Sequence, residues 1–205
     1  MTFRRLNVKR LLILVLAAFP LLAAAESPND TIEEAAALFE KALDGRKDEF
    51  VKDKQALYAT INEILLPRFD RQYAAQLVLG KHWRAASKEQ RQRFIDGFYN
   101  TLLQRYADGV LEYDQSMVTI MPFRGDDTKQ RTMVRSVVNL DDGSKVPVNY
   151  ALVKRDSGWM LFDVTIEGVS YIRNFRAELD SEIRSSSIEA VIQRLESEVA
   201  TTPDE

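Results

Sequence analysis

A chain of 205 residues with no cysteine and a formal net charge of −3 folds without disulfides and without thiolate metal sites. Its length suffices for one sizeable core in one domain. The excess of acid argues against nucleic acid or an anionic bilayer as the main partner, because both reward clustered positive charge.

Residues 1–25 read apart from the rest. Arg4, Arg5, Lys9 and Arg10 precede an uncharged apolar run from Leu11 to Leu22, and Ala23-Ala24-Ala25 follows before Glu26. A basic start, an apolar middle and small residues at a cleavage site make a secretory signal. The run is well short of the ~20 residues that cross a bilayer as a helix, which disfavours the alternative, an uncleaved anchor. Cleavage leaves residues 26–205 as a single domain. It removes four basic residues and no acidic one, so the net charge moves from −3 to −7. A bacterial periplasm suits a secreted, cysteine-free chain better than an animal extracellular space.

The first stretch after residue 25 is helical. Asp30 and Thr31 are candidate caps for a helix carrying Ile32, Ala35, Phe39, Ala42 and Leu43, with Gly45 to close it. A second helix carries Leu57, Ile61, Ile64 and Leu65 and stops at Pro67. A shorter one carries Tyr73, Leu77 and Val78 before Gly80. The longest begins at Ser87, which forms a capping box with Gln90. Phe94, Phe98, Leu102 and Tyr106 make one row on it, and Ile95, Tyr99 and Leu103 a second, giving the wide stripe of a helix pressed on a core. Gly97 inside it costs about 1 kcal/mol against Ala, which a close backbone approach would justify.

The second stretch is β. Residues 116–123, 130–140, 145–155 and 158–166 are strand-like and are separated by RGDDT, DDGS and DSG. Short connections make them an antiparallel meander. Val146, Val148, Tyr150 and Leu152 share a face, as do Val134, Val138 and Leu140. Met160, Phe162, Val164 and Ile166 share one opposite to Asp163, Thr165 and Glu167. Gly168 then permits a turn out of the sheet. The third stretch is helical again: Ile172, Phe175, Leu179 and Ile183, then a serine cap at 185–187, then Ile188, Val191, Ile192, Leu195 and Val199. The fold class is α+β.

Chemistry is sparse. The single histidine, His82, has no G-x-S-x-G around any serine to serve, and zinc hydrolase sites need more than one His or Cys. There is no phosphate-binding glycine loop. Asp163 and Glu167 lie four apart on one strand face, about 13 Å by strand rise. In a cavity they could do acid/base work; facing solvent, or paired with Lys154 or Arg173, they do none. No cofactor is indicated. Apolar residues abound on the long helix and the sheet, and periodicity cannot separate a filled core from a hollow one.

The segment VKRDSGWMLFDVTIEGVSYIRNFR, residues 153–176, resembles the MlaC family, also called the toluene-tolerance auxiliary family. YATINEILLPRFD (58–70), LVLGKHWRAASKEQRQRFIDGF (77–98) and SSSIEAVIQRL (185–195) are similar in the same order. The resemblance implies an NTF2-like fold, a curved antiparallel sheet of about four strands enclosed by N- and C-terminal helices around an apolar cavity. It implies a periplasmic carrier that moves phospholipid between outer and inner membranes and so maintains outer-membrane lipid asymmetry. The partners it implies are an outer-membrane MlaA–porin complex and the inner-membrane MlaD ring of an ATP-driven transporter. Members often carry an aromatic such as Tyr at the place of His82, so the resemblance gives that histidine no special role. Candidate lipid-lining residues are Val134, Val138, Tyr150, Leu152, Phe162 and Val164 on the sheet, with Phe98, Leu102 and Tyr171 on helices. The competing readings are an NTF2-like enzyme using Asp163 or Glu167 and a non-catalytic envelope chaperone or adaptor with a filled core.

Overall fold

The structure, a computed structural model, describes residues 27–200; the candidate signal segment and the C-terminal TTPDE lie outside them. Helices α1 (Pro28–Leu43), α2 (Lys47–Lys52), α3 (Lys54–Leu65), α4 (Arg71–Leu79), α5 (His82–Ala85) and α6 (Lys88–Leu111) precede the sheet. Strands β1 (Val118–Ile120), β2 (Arg131–Asn139), β3 (Lys145–Arg155), β4 (Gly158–Ile166) and β5 (Val169–Ser170) form it. Helices α7 (Tyr171–Ser185) and α8 (Ile188–Ala200) close the described chain.

Several boundaries differ from the sequence reading for local reasons. The first helix starts earlier: Ser27 is its cap and Asp30 completes a capping box, with Pro28 at the first position. The first strand is shorter, because residues 115–117 form a 3₁₀ turn held by the Asp114 side chain. The capping box at Ser87 and Gln90 is present as read. Two short helices, α2 and α5, carry too few turns to show a period.

The sheet is an open, curved antiparallel meander in the order β1-β2-β3-β4-β5. The fifth strand was not foreseen. Ile166 pairs with Val169 and Thr165 with Ser170, so Glu167 and Gly168 are the two turn residues of a tight hairpin. Both have positive φ, 50° and 83°, as a two-residue turn that follows strand twist requires. Further along β4, residues 68–70 pair with Leu161: its N–H donates to the Arg68 carbonyl and its carbonyl accepts from the Asp70 N–H. The free edge of β4 is thereby covered.

One register shift matters most. Ala151 pairs with Asp163 but Leu152 with Leu161, so Phe162 is the extra residue of a bulge. It inverts parity along β4. Trp159 and Leu161, not Met160, share the face of Val164 and Ile166, which corrects the simple alternation expected over 158–166.

Buried apolar side chains gather in three clusters. One joins α4, α6, α7 and α8, with Phe94, Phe98, Phe175 and Leu179 at its centre. A second joins α1, α2, α3 and α6 through Leu43, Phe50, Leu57, Ile61 and Ala107. The third presses Ile32 of α1 onto Val134, Leu152 and Trp159 of the sheet.

Gly97 explains itself in the first cluster. A Cβ there would sit 3.2 Å from the Leu195 Cβ, so α8 crosses α6 at this point. A branched side chain has no room. Gly97→Val should cost about 1–3 kcal/mol as overpacking, lowering the melting temperature by about 2–12 °C in a domain of this size; calorimetry checks it. Arg93 braces the same pair of helices, donating to Glu189 and Glu196 at 2.7–2.8 Å, and Arg194 ties α8 to Glu182 of α7.

His82 is a structural residue. Its Nε2 lies 2.7 Å from Asp180 Oδ1, and Lys81 and Arg184 also pair with Asp180. Hydrogen bonding from Lys81, then from His82, lowers the Asp180 carboxyl pKa from 3.8 to about 2. A lowered carboxyl pKa stabilises the fold above the unfolded value and loses that contribution as pH falls through the folded one. Asp180→Asn should therefore change the slope of stability against pH between about 4 and 2, relative to the parent, in acid titrations followed by circular dichroism.

Candidate functional site

The three clusters do not merge into one core. Where they meet is a cavity of about 310 Å³, within the range of about 300–1,000 Å³ common for ligand pockets. Each wall has its own origin. From α3 come Ile61 and Leu65, one turn apart. From α6 come both rows of the apolar stripe: Phe98, Leu102, Tyr106 and Val110, then Tyr99, Leu103 and Ala107. From β4 come Leu161, Phe162, Val164 and Ile166, and from α7 come Tyr171, Ile172 and Phe175. Because of the bulge, neighbours Leu161 and Phe162 both reach the cavity. Phe162 is also wedged edge-on against Tyr73 of α4, ring centroids 5.0 Å apart.

Asp163 is the one carboxylate on this wall among the described residues. Both of its oxygens are engaged. Oδ2 accepts from the Ser170 hydroxyl at 2.5 Å and Oδ1 from the Ile172 N–H at 3.0 Å, while Ser170 Oγ accepts from the Arg173 N–H. Asp163 thus fixes the start of α7, where N–H groups lack helical partners, onto β4. Glu167 does not face the cavity; it lies exposed in the hairpin turn.

Two phenols on the wall, those of Tyr99 and Tyr106, have raised pKa values. Burial raises the Tyr99 pKa, and its hydroxyl donates to Asn62 Oδ1 at 2.6 Å. Burial, then the neighbouring Tyr171, raises that of Tyr106 against the opposing pull of Arg105. Tyr106 and Tyr171 meet edge to face, centroids 5.1 Å apart. Tyr106 is 39% exposed, more than any other wall residue, and so marks the mouth.

Of the nine residues proposed to line a cavity, the structure places Phe98, Leu102, Phe162, Val164 and Tyr171 on its wall. Val134, Val138, Tyr150 and Leu152 are not on it. The face was chosen consistently, since Val134 pairs with Tyr150 and Tyr150 with Val164. The reason is α1. Its Ile32 covers this part of the face and seals Val134 and Leu152 at 1% and 0% exposure, with Tyr150 packed alongside. Val138 lies further off, between Val118 and Val146. One sheet face is therefore plugged over β2 and β3 and hollow over β4. Tyr99, Leu103 and Tyr106 already belong to the two rows read on α6, and Val110 extends the first by one turn; Leu161 was hidden by the bulge.

Comparisons with known proteins agree with this architecture. The family model described as MlaC protein matches residues 33–197. A toluene tolerance protein, ttg2D, of Pseudomonas putida is 32% identical over 171 residues, covering 82% of this chain and 79% of its own. The intermembrane phospholipid transport system binding protein MlaC of Haemophilus influenzae is 22% identical over 178 residues, covering 84% and 82%. A phospholipid-binding protein from Ralstonia solanacearum, solved in complex with a phospholipid, superposes with a TM-score of 0.75 at 25% identity, covering 86% of this chain and 97% of its own.

Proposed function

The chain belongs to the MlaC family, and from that premise we propose that it is a soluble periplasmic carrier that moves phospholipid between the outer and inner membranes. The observation that carries this reading is the cavity: an apolar void lined from four elements, with its single carboxylate already hydrogen-bonded. Two acyl chains hold on the order of 30 methylenes, and exposing them to water costs roughly 25 kcal/mol at about 0.8 kcal/mol each. Spontaneous passage through water is negligible on that scale. A carrier replaces membrane with protein apolar surface and leaves the polar end wet at the mouth.

The phospholipid in the Ralstonia relative supports the ligand class, and the name of the Haemophilus relative supports intermembrane transport. In this reading the carrier exchanges its cargo with an outer-membrane MlaA–porin complex and with the inner-membrane MlaD ring of an ATP-driven transporter. The basic–apolar–small segment of residues 1–25 supports export, and the described residues include no helix long and apolar enough to cross a membrane. The mature protein should begin at Glu26, which intact-mass measurement of the envelope fraction checks.

Against the catalytic reading, Asp163 lines the cavity but both its oxygens are engaged at the start of α7, and Glu167 is outside the cavity. The filled-core reading has to account for the void. Protein purified without added lipid should yield phospholipid on organic extraction and mass spectrometry. A clean, folded protein that takes none from vesicles would sink the proposal.

A further inference from the structure

We propose that Arg105 anchors the phosphate of a bound phospholipid at the mouth of the cavity, with the Tyr106 and Tyr171 phenols as its flanking donors. The inference rests on the carrier reading and adds a polar contact to a site so far described by its apolar walls.

Position comes first. Tyr106 marks the mouth, and Arg105 is its exposed neighbour on α6. The Arg105 guanidinium carbon stands 5.2 Å from the centre of the Phe175 ring, which is itself part of the wall. The exposed cation is thus positioned over a ring of the wall, at the rim of an apolar void. Tails inside the cavity leave the phosphate of a glycerophospholipid just outside the mouth, at this rim.

Availability comes second. Arg46, Arg93, Arg155 and Arg194 each have a carboxylate at 2.6–2.9 Å. Arg105 has no ion pair among the described residues. Asp108, one turn further along α6, is taken by Lys54. Glu178 of α7 acts on the Tyr106 phenol but forms no ion pair with Arg105. The cation's partners are the Phe175 ring face and the Tyr106 phenol, neither of them an anion at neutral pH. A guanidinium presents a planar fork that matches phosphate oxygens in pairs. Every glycerophospholipid offers the same phosphate, so this contact separates phospholipid from uncharged diacylglycerol and does not select among headgroups.

The experiment offers lipid-stripped mature protein vesicles containing equal phosphatidylglycerol and diacylglycerol, and measures both captured lipids by mass spectrometry. Wild type should favour phosphatidylglycerol. Arg105→Ala should reduce that preference about tenfold, the loss of one charge-assisted contact, with diacylglycerol capture unchanged. Arg105→Lys should retain most of it. Arg105→Gln keeps a side chain over Phe175 without the charge and replaces Ala if that variant fails to fold. An unchanged lipid ratio in the uncharged variant overturns the anchor. Inorganic phosphate at 10 mM should leave wild-type preference intact; abolition of the preference by it would assign the site to free anion and also overturn the proposal. Wild type that captures neither lipid would instead sink the carrier reading.

Discussion

Val164→Glu should strip phospholipid from the purified protein by at least about tenfold at neutral pH. Val164 lies near the C-terminal end of β4 on the cavity wall, with Leu161, Phe162 and Ile166 of the same strand. Without lipid, a carboxylate at this position keeps contact with water through the mouth, so the fold should survive. Lipid tails would remove that water. An ionised group without a partner then costs several kcal/mol, and each 1.4 kcal/mol is a tenfold loss of affinity. Acid should partly reverse the defect. Apolar surroundings favour the neutral form of a carboxyl group, so binding should recover as pH falls towards about 5, and this recovery separates electrostatics from misfolding. Met133→Glu is the control. Met133 is 44% exposed and is the neighbour of Val134 on β2, on the other sheet face. The two variants should share a melting temperature and differ in extracted lipid. Equal lipid in both would mean that the β4 wall does not contact cargo.

Asp163→Ala should be among the most destabilising single changes outside the buried clusters. It deletes an acceptor for the Ser170 hydroxyl and another for the Ile172 N–H. Hydrogen bonds to a charged acceptor contribute about 1.5–3 kcal/mol each, and the partly buried setting puts the total at roughly 2–4 kcal/mol. The melting temperature should fall by about 4–16 °C, and Asp163→Asn should fall less, since its amide oxygen still accepts one bond. Lipid loading should fall as well, because Tyr171, Ile172 and Phe175 reach the cavity only while α7 stays docked on β4. A catalytic acid would behave in the opposite way, leaving stability intact or improved when neutralised. A melting temperature within 1 °C of wild type, as a general threshold for loss of a cap, would refute the clamp.

Much of this architecture was legible before any coordinates. The two rows on α6 define the helical wall, because a stripe too wide for a single contact must meet two partners. The ends of β3 and β4 follow from the turn residues beside them. The division of one sheet face into plugged and hollow parts was not legible. It depends on where Ile32 lands, a contact between segments more than a hundred residues apart in sequence, and alternation along a strand says which residues share a face without saying what covers them. The bulge at Phe162 was hidden for a related reason. A single extra residue leaves no mark in composition yet inverts the parity of everything before it. The hairpin at Glu167 was masked because glutamate is an unusual choice for φ of 50°.

A domain of this size ordinarily condenses around one contiguous core. Here the three clusters border a cavity, and in the proposed reading lipid tails complete the apolar packing there. The consequence concerns turnover. If the chain is the carrier proposed above, each delivery returns it to its least cohesive state, because anything that binds only the folded form raises stability by mass action. On that reading the lipid-free form should open more often and be cut more readily by proteases, so the amount of protein that persists in the cell would gauge how much lipid there is to carry.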